Sequence, residues 1–202
     1  MTANMKAIVF DIGNVLVRWD AHLAFTGALG SREAASALME RIGFSALNLR
    51  ADAGETFADL AAEIADPEDR ALFAAYPANY HLTIAELLDG TWALMGRLRA
   101  KGHPIYAITN WSAETWETGV ELHPGLGSSF GVTIVSGREK VLKPEPEIFA
   151  RLCERAGLTP ADCLFIDDSA KNVAGAAAFG MDAILFTTPE ALEIALQDRG
   201  LL

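Results

Sequence analysis

Cysteine is scarce in this chain: Cys153 and Cys163 are the two present among 202 residues. Two thiols are too few for a disulfide framework, and no metal-ligand grouping surrounds them. They read as ordinary reduced, mostly buried side chains. Histidine is also sparse. His22, His81, His103 and His123 are scattered with no HxxxH or HExxH spacing, which argues against a histidine-built metal site and leaves them as surface or loop residues. No apolar stretch approaches the roughly 18 to 20 residues needed to cross a bilayer, and Met1 to Met5 lacks the charged and hydrophobic regions of a secretory signal. Positive charge is in short supply as well: 16 Lys and Arg face 27 Asp and Glu, for a formal net charge of -11. That field repels nucleic acid and anionic membranes, so an anionic substrate needs local compensation. There is no glycine-rich GxGxxG or Walker loop for a nucleotide, no internal repeat and no low-complexity linker. The expectation is a soluble, cytoplasmic globular protein without nucleic-acid or membrane partners, whose oligomeric state the sequence leaves open.

What is present is a rhythm. With 51% hydrophobic and 21% charged residues, the chain can bury one sizeable core and a smaller attached lobe. Beyond residue 90 a helical pattern, a glycine, a short apolar run and a polar loop recur. Trp92 to Lys101 reads as a helix closed by Gly102 and followed by a strand at Ile105 to Ile108. Glu147 to Ala156, ended by Gly157, feeds Leu164 to Ile166. Ala170 to Phe179, closed by Gly180, leads to Ala183 to Phe186. Thr188 and Pro189 look like the N-cap and first position of a last helix, Glu190 to Asp198. Ala7 to Phe10 and Val132 to Val135 supply two more strands. Continuous apolar strands alternating with helices imply a doubly wound, Rossmann-like α/β fold with a parallel sheet covered on both faces.

The segment from about Asp20 to Asp89 differs: rich in Ala, Leu and Glu, helical throughout, with turn signals at Gly30-Ser31, Gly43, Asp66-Pro67 and Asp89-Gly90. It reads as a helical insert, giving a core of residues 1–18 and 90–202 and a lobe of residues 19–89. Leu38, Ile42, Leu60, Ile64 and Leu72 are assigned to its packing. Asn48 to Glu55 is a polar break, either reaching toward a substrate or simply solvated.

Open parallel sheets bind ligands beyond the carboxyl ends of their strands. Asp11 follows the first strand, Thr109-Asn110 follows Ile105 to Ile108, Asp167-Asp168 follows Leu164 to Ile166, and Lys143-Pro144 precedes the Glu147 helix. Three gathered carboxylates repel one another unless a cation sits among them, and oxygen ligands of this hardness suit Mg²⁺ together with a substrate phosphate oxygen. A hydroxyl, an amide and an ammonium opposite that ion make a phosphate-shaped receptor.

The segments "VFDIGNVL", "AITN", "KPEPEIF" and "FIDDSAKN", in this order and spacing, resemble the four motifs of the haloacid dehalogenase superfamily, mostly phosphatases, over nearly the whole chain. The resemblance implies that Asp11 is the nucleophile that becomes an aspartyl phosphate. It implies that Thr109 and the backbone of Asn110 hold the phosphate and that Lys143 neutralises nucleophile and phosphoryl oxygens. It makes Asp167, Asp11 and the Gly13 carbonyl the Mg²⁺ ligands, Asp168 a catalytic support to metal or lysine, and Asn14 and Asn172 supporting residues. The insert corresponds to a cap that closes over the site, excludes water and sets specificity. Trp19 and Trp111 could line the pocket mouth or pack at the seam between cap and core.

One position departs from the phosphatase pattern. Two residues after the nucleophile, where the family carries a proton-donating aspartate, this chain has Gly13. Some bacterial members acting on sugar phosphates are similar in carrying Gly-Asn there. The expected activity is therefore hydrolysis of a small phosphate monoester, with a preference for leaving groups that need little protonation, such as anomeric or aryl phosphates. Two alternatives stay open. One is metal-independent 2-haloacid dehalogenation, with Arg41 gripping the carboxylate; the other is a catalytically silent phosphate-binding protein.

Overall fold

The computed structural model describes residues 5–202; apart from Met5, the stretch read for a secretory signal lies outside those residues. Five strands form one sheet: Ala7–Phe10 (β1), Ile105–Thr109 (β2), Thr133–Val135 (β3), Cys163–Asp167 (β4) and Asp182–Leu185 (β5). β1 and β4 are buried along their whole length, as continuous apolar runs require when both faces of a sheet are covered. All neighbours are parallel, in the order β3-β2-β1-β4-β5. β1 therefore lies between β2 and β4, and the chain order reverses across it. Phe10 pairs with Ala107 on one side and Ile166 on the other, which levels the ends of three strands. Asp11, Thr109 and Asp167 consequently emerge at the same sheet edge.

The helices Asp89–Ala100, Pro146–Ala156, Ala170–Phe179 and Pro189–Asp198 fall where the periodicity put them, within a few residues at each end. Pro146–Ala156 buries Ile148, Phe149, Leu152 and Cys153 and stops at Gly157, whose φ of 65° suits glycine. The Thr188 side chain caps the last helix by accepting from the Ala191 N–H, with Pro189 in its first turn. Both cysteines are buried and free. No helix among the described residues is long and apolar enough to cross a membrane.

One expectation needs correction. Asp89-Gly90 is no turn but the start of the helix Asp89–Ala100. His103 lies in the loop before β2 and is buried there, with its Nδ1 3.0 Å from the Lys6 carbonyl. A further helix, Ala113–Leu122, follows β2 and is capped by Ser112, which accepts from the Glu114 N–H.

Between β1 and Asp89 run six short helices: Leu23–Leu29, Arg32–Ile42, Phe44–Asp52, Phe57–Ala62, Pro67–Ala74 and Tyr76–Thr83. Ser31, Thr56 and Asp66 cap three of them through their side chains. Their centre is aromatic, with Phe44 at 5.7 Å from Phe25 and 5.1 Å from Tyr76 between ring centres. Leu38 and Leu60 are fully buried, while Ile42, Ile64 and Leu72 pack at the margin. This apolar cluster continues without interruption into Ile8 and Phe10 of β1 and Ile166 of β4.

Candidate active site

Asp11, Asp167 and Asp168 each offer a carboxylate oxygen, and these atoms lie within 4.8 Å of one another. Asp167 and Asp11 are buried and Asp168 is exposed. Burial drives the Asp11 carboxyl well above its ordinary range; Lys143 pulls against that shift, and Asp167 and Asp168 add to it. Asp168 is raised too, by partial loss of solvent around its carboxyl and then by Asp167. Such a cluster of hard oxygens, uncomfortable as free anions, matches the donor set of a Mg²⁺ site.

Lys143 is the counterweight. Its Nζ stands 2.7 Å from Asp11 Oδ1 and 2.7 Å from Asp167 Oδ2, with the face of Phe165 5.6 Å away. Burial disfavours its charge, but the carboxylates of Asp11 and Asp167 outweigh that and hold it above its usual value. The lysine is placed by its backbone: Asn110 Oδ1 accepts from the Lys143 N–H at 2.8 Å and Asn110 Nδ2 donates to its carbonyl at 3.2 Å. The loop is also pressed by Gly175, where a Cβ would sit 2.5 Å from Pro144 Cβ and 2.8 Å from its carbonyl.

The remaining oxygens of the cluster are partly occupied. The Ile12 N–H donates to Asp11 Oδ1 at 2.7 Å, so this bond and the Lys143 contact both fall on Oδ1 and leave Oδ2 with neither. Asp167 accepts from the Ser169 N–H at 2.8 Å and from Asn172 Nδ2 at 3.1 and 3.2 Å. Asn14, at φ 56°, accepts from the Trp19 N–H through Oδ1 at 3.0 Å and helps keep Asp168 ionised. Thr109 Oγ1 is buried and has no hydrogen-bond partner among the described residues.

A cavity of about 210 Å³ opens onto this group. Asp11, Gly13, Asn14, Lys143, Asp168 and Asn172 line its sheet side, with Asn110; Thr109 and Asp167 lie behind the wall. Trp19 and Trp111 both line it. Trp111 also packs at 5.6 Å from Tyr80 and 5.3 Å from Trp116, so the pocket and seam readings hold together for that residue.

The sequence reading did not single out Asp52. Asn48 to Asp52 is not a break but the last turn of the helix Phe44–Asp52. Its polar residues divide between two faces. Arg50 turns outward to Glu55 and Glu63 at 2.5 and 2.7 Å, whereas Asn48 and Asp52 line the cavity, bonded to each other at 3.1 Å. Burial pushes the Asp52 carboxyl up to about 7, against the Ser112 N–H and Lys143. An i, i+4 polar pair on one helix face was the signal available in the sequence.

Arg41 is elsewhere. Its guanidinium grips Asp69 at 2.6 and 2.7 Å, within the insert and away from the cavity. The arginine considered for a haloacid carboxylate does not reach the site.

The description of the haloacid dehalogenase-like hydrolases matches residues 5–180. The chain belongs to this family. Flavin mononucleotide hydrolase 1 of Arabidopsis thaliana is 32% identical over 114 residues, 56% of this chain and 46% of that one. Glyceraldehyde 3-phosphate phosphatase of Methanopyrus kandleri is 32% identical over 122 residues, 58% of this chain and 51% of that one. The chain thus spans about half the length of these curated relatives. Among solved structures, a family enzyme from Bacteroides thetaiotaomicron in complex with magnesium and inorganic phosphate superposes with a TM-score of 0.69. It shares 21% identity over 91% of this chain and 95% of the other, a likeness of fold. L-2-haloacid dehalogenase of Xanthobacter autotrophicus has the same fold.

Proposed function

We propose that this hydrolase is a Mg²⁺-dependent phosphatase acting on a small phosphate monoester through an aspartyl-phosphate intermediate. The observation that carries the reading is Lys143 Nζ at 2.7 Å from both Asp11 and Asp167 inside a three-carboxylate cluster. Asp11 attacks phosphorus, and Lys143 balances the charge of nucleophile and phosphoryl oxygens. The unpartnered Thr109 hydroxyl and the Asn110 backbone hold the phosphoryl group. Asp11, Asp167 and the Gly13 carbonyl would hold Mg²⁺, with Asp168 supporting them. The ion would supply neutralising charge at the reacting centre. Asn14 and Asn172 orient Asp168 and Asp167.

Residues 19–89 form the cap over a core of residues 1–18 and 90–202, excluding water and selecting the leaving group. A cavity of about 210 Å³ walled by Trp19, Tyr80 and Trp111, with Asn48 and Thr115 between them, suits a compact hydroxylated group such as a sugar. Dehalogenation is disfavoured: the cavity lining contains no arginine, and a second acid, Asp168, stands where a metal-free site needs none.

A panel of phosphorylated metabolites assayed with Mg²⁺ and with EDTA, on wild type and Asp11→Asn, tests the reading. Phosphate release that needs both Mg²⁺ and Asp11 supports it. Chloride release from a 2-haloacid in EDTA would replace it with dehalogenation, and phosphate binding without turnover of any ester would leave a silent binder.

A further inference from the structure

Phosphoryl transfer through Asp11 leaves one task without a residue on the sheet side. The departing ester oxygen needs a proton, and Gly13 has none to give. The cavity lining offers one other carboxyl group besides the Asp11 cluster, that of Asp52 at the end of the helix Phe44–Asp52. Resting on the phosphatase reading, we infer that Asp52 is the general acid and base of the reaction, supplied from the insert in place of the residue missing at position 13.

Three observations support the placement. Asp52 lines the same cavity as Asp11 and Lys143, and its carboxylate is bonded by Asn48 Nδ2 at 3.1 Å. Its helix end is tied to the sheet side: the Ser136 hydroxyl donates to the Asp52 carbonyl at 2.6 Å, and Ser136 Oγ accepts from the Trp111 N–H at 2.9 Å. The acid is thereby held relative to the nucleophile. The third is its protonation: burial lifts the carboxyl to about 7, so both forms are available near neutral pH, as a group that gives and then takes a proton requires. The titratable groups around it are Asp11, Asp168 and Lys143, which line the same cavity, Lys143 favouring its charge, and Tyr76 and Tyr80 from the helix Tyr76–Thr83, both held neutral by burial.

In the first step an Asp11 oxygen forms a bond to phosphorus. The bond from phosphorus to the ester oxygen breaks with its electron pair on that oxygen, which takes the Asp52 proton and leaves as the alcohol. In the second, Asp52, now a carboxylate, takes a proton from water as that water attacks the aspartyl phosphate. The pair of the breaking acyl phosphate bond returns to Asp11, inorganic phosphate departs, and Asp52 is again protonated.

The test compares wild type, Asp52→Asn and the double variant Asp52→Asn with Gly13→Asp, all with Mg²⁺, on p-nitrophenyl phosphate and glycerol 2-phosphate. A Cβ at Gly13 would meet nothing within 4 Å, so the second acid fits where the family carries it. Asp52→Asn should lower kcat/KM for glycerol 2-phosphate by about 10²- to 10⁴-fold and for p-nitrophenyl phosphate by less than about tenfold. Nitrophenolate should then appear as a burst, because the intermediate hydrolyses slowly. The fall of wild-type kcat/KM for glycerol 2-phosphate above about pH 7 should disappear in Asp52→Asn, and Gly13→Asp should recover at least about tenfold. Equal losses on the two esters, or no loss on either, would overturn the assignment while Asp11 dependence kept the phosphatase reading intact. A wild type inactive on both esters and across the metabolite panel would overturn both.

Discussion

Asn110 holds Lys143 with both ends of one amide, at 2.8 Å to its N–H and 3.2 Å to its carbonyl. The expected contribution of Asn110 was through its own backbone; its side chain does a second job, setting where the ammonium stands between Asp11 and Asp167. A misplacement of order 1 Å near the reacting atoms can cost about 10²-fold. Asn110→Ala should therefore lower kcat by about 10- to 100-fold with a smaller change in KM, read in steady-state phosphate release. Asn110→Asp, which keeps one acceptor but adds a negative charge beside the cluster, should do no better.

Arg41 provides the opposite kind of test. Its two bonds to the buried Asp69 are a packing device of the insert. Arg41→Ala should lower the melting temperature, because Asp69 loses its partner, while kcat/KM stays within about twofold of wild type. Abolished turnover of every substrate would revive a role for this guanidinium in chemistry.

Cation binding should show itself without any assay of turnover. A ligand at about 100 times its Kd stabilises by about 2.7 kcal/mol, which for a chain of this size is roughly 5–10 °C. Thermal melts of wild type should rise by that amount with saturating Mg²⁺. Asp168→Asn should show a smaller rise, and Asp11→Asn should gain little.

Asp52 sets a pH signature on stability. Its carboxyl is raised from an ordinary 3.8 to about 7 in the folded protein, so the folded state holds the proton more tightly than the unfolded chain. The stability contributed by this group is complete below about pH 4 and is lost as pH rises through 7. Melting temperatures measured between pH 4.5 and pH 7.5 should fall less steeply in Asp52→Asn than in wild type; parallel slopes would contradict it.

The sheet and its loops were legible because parallel strands buried on both faces leave continuous apolar runs, and each run ends where a ligand-facing residue begins. Asp11, Thr109, Lys143 and Asp167 could be placed on one edge from the strand-end and loop reading, with Asn172 joining them through the motif resemblance. The structure brings Asp11, Lys143, Asp167 and Asn172 together. The hidden part depended on contacts between distant segments. Asn48 and Asp52 looked like a break because polar residues interrupt a helical pattern; the cavity-facing pair is visible only once Ser136, 84 residues later, fastens that turn. Ala113–Leu122 escaped because its apolar positions are few, although Ser112 two residues before Glu114 is a fair start signal. The burial of the His103 loop is not legible locally, since nothing near it announces its bond to Lys6, 97 positions earlier.

The apolar cluster that runs unbroken from Phe25, Phe44 and Tyr76 into Ile8, Phe10 and Ile166 bears on how this chain could be re-engineered. Transplanting the 19–89 segment from a relative would leave half of a shared interior facing foreign side chains. New substrate preference is better sought by exchanging individual wall residues such as Asn48, Tyr80 or Thr115 than by grafting the whole insert.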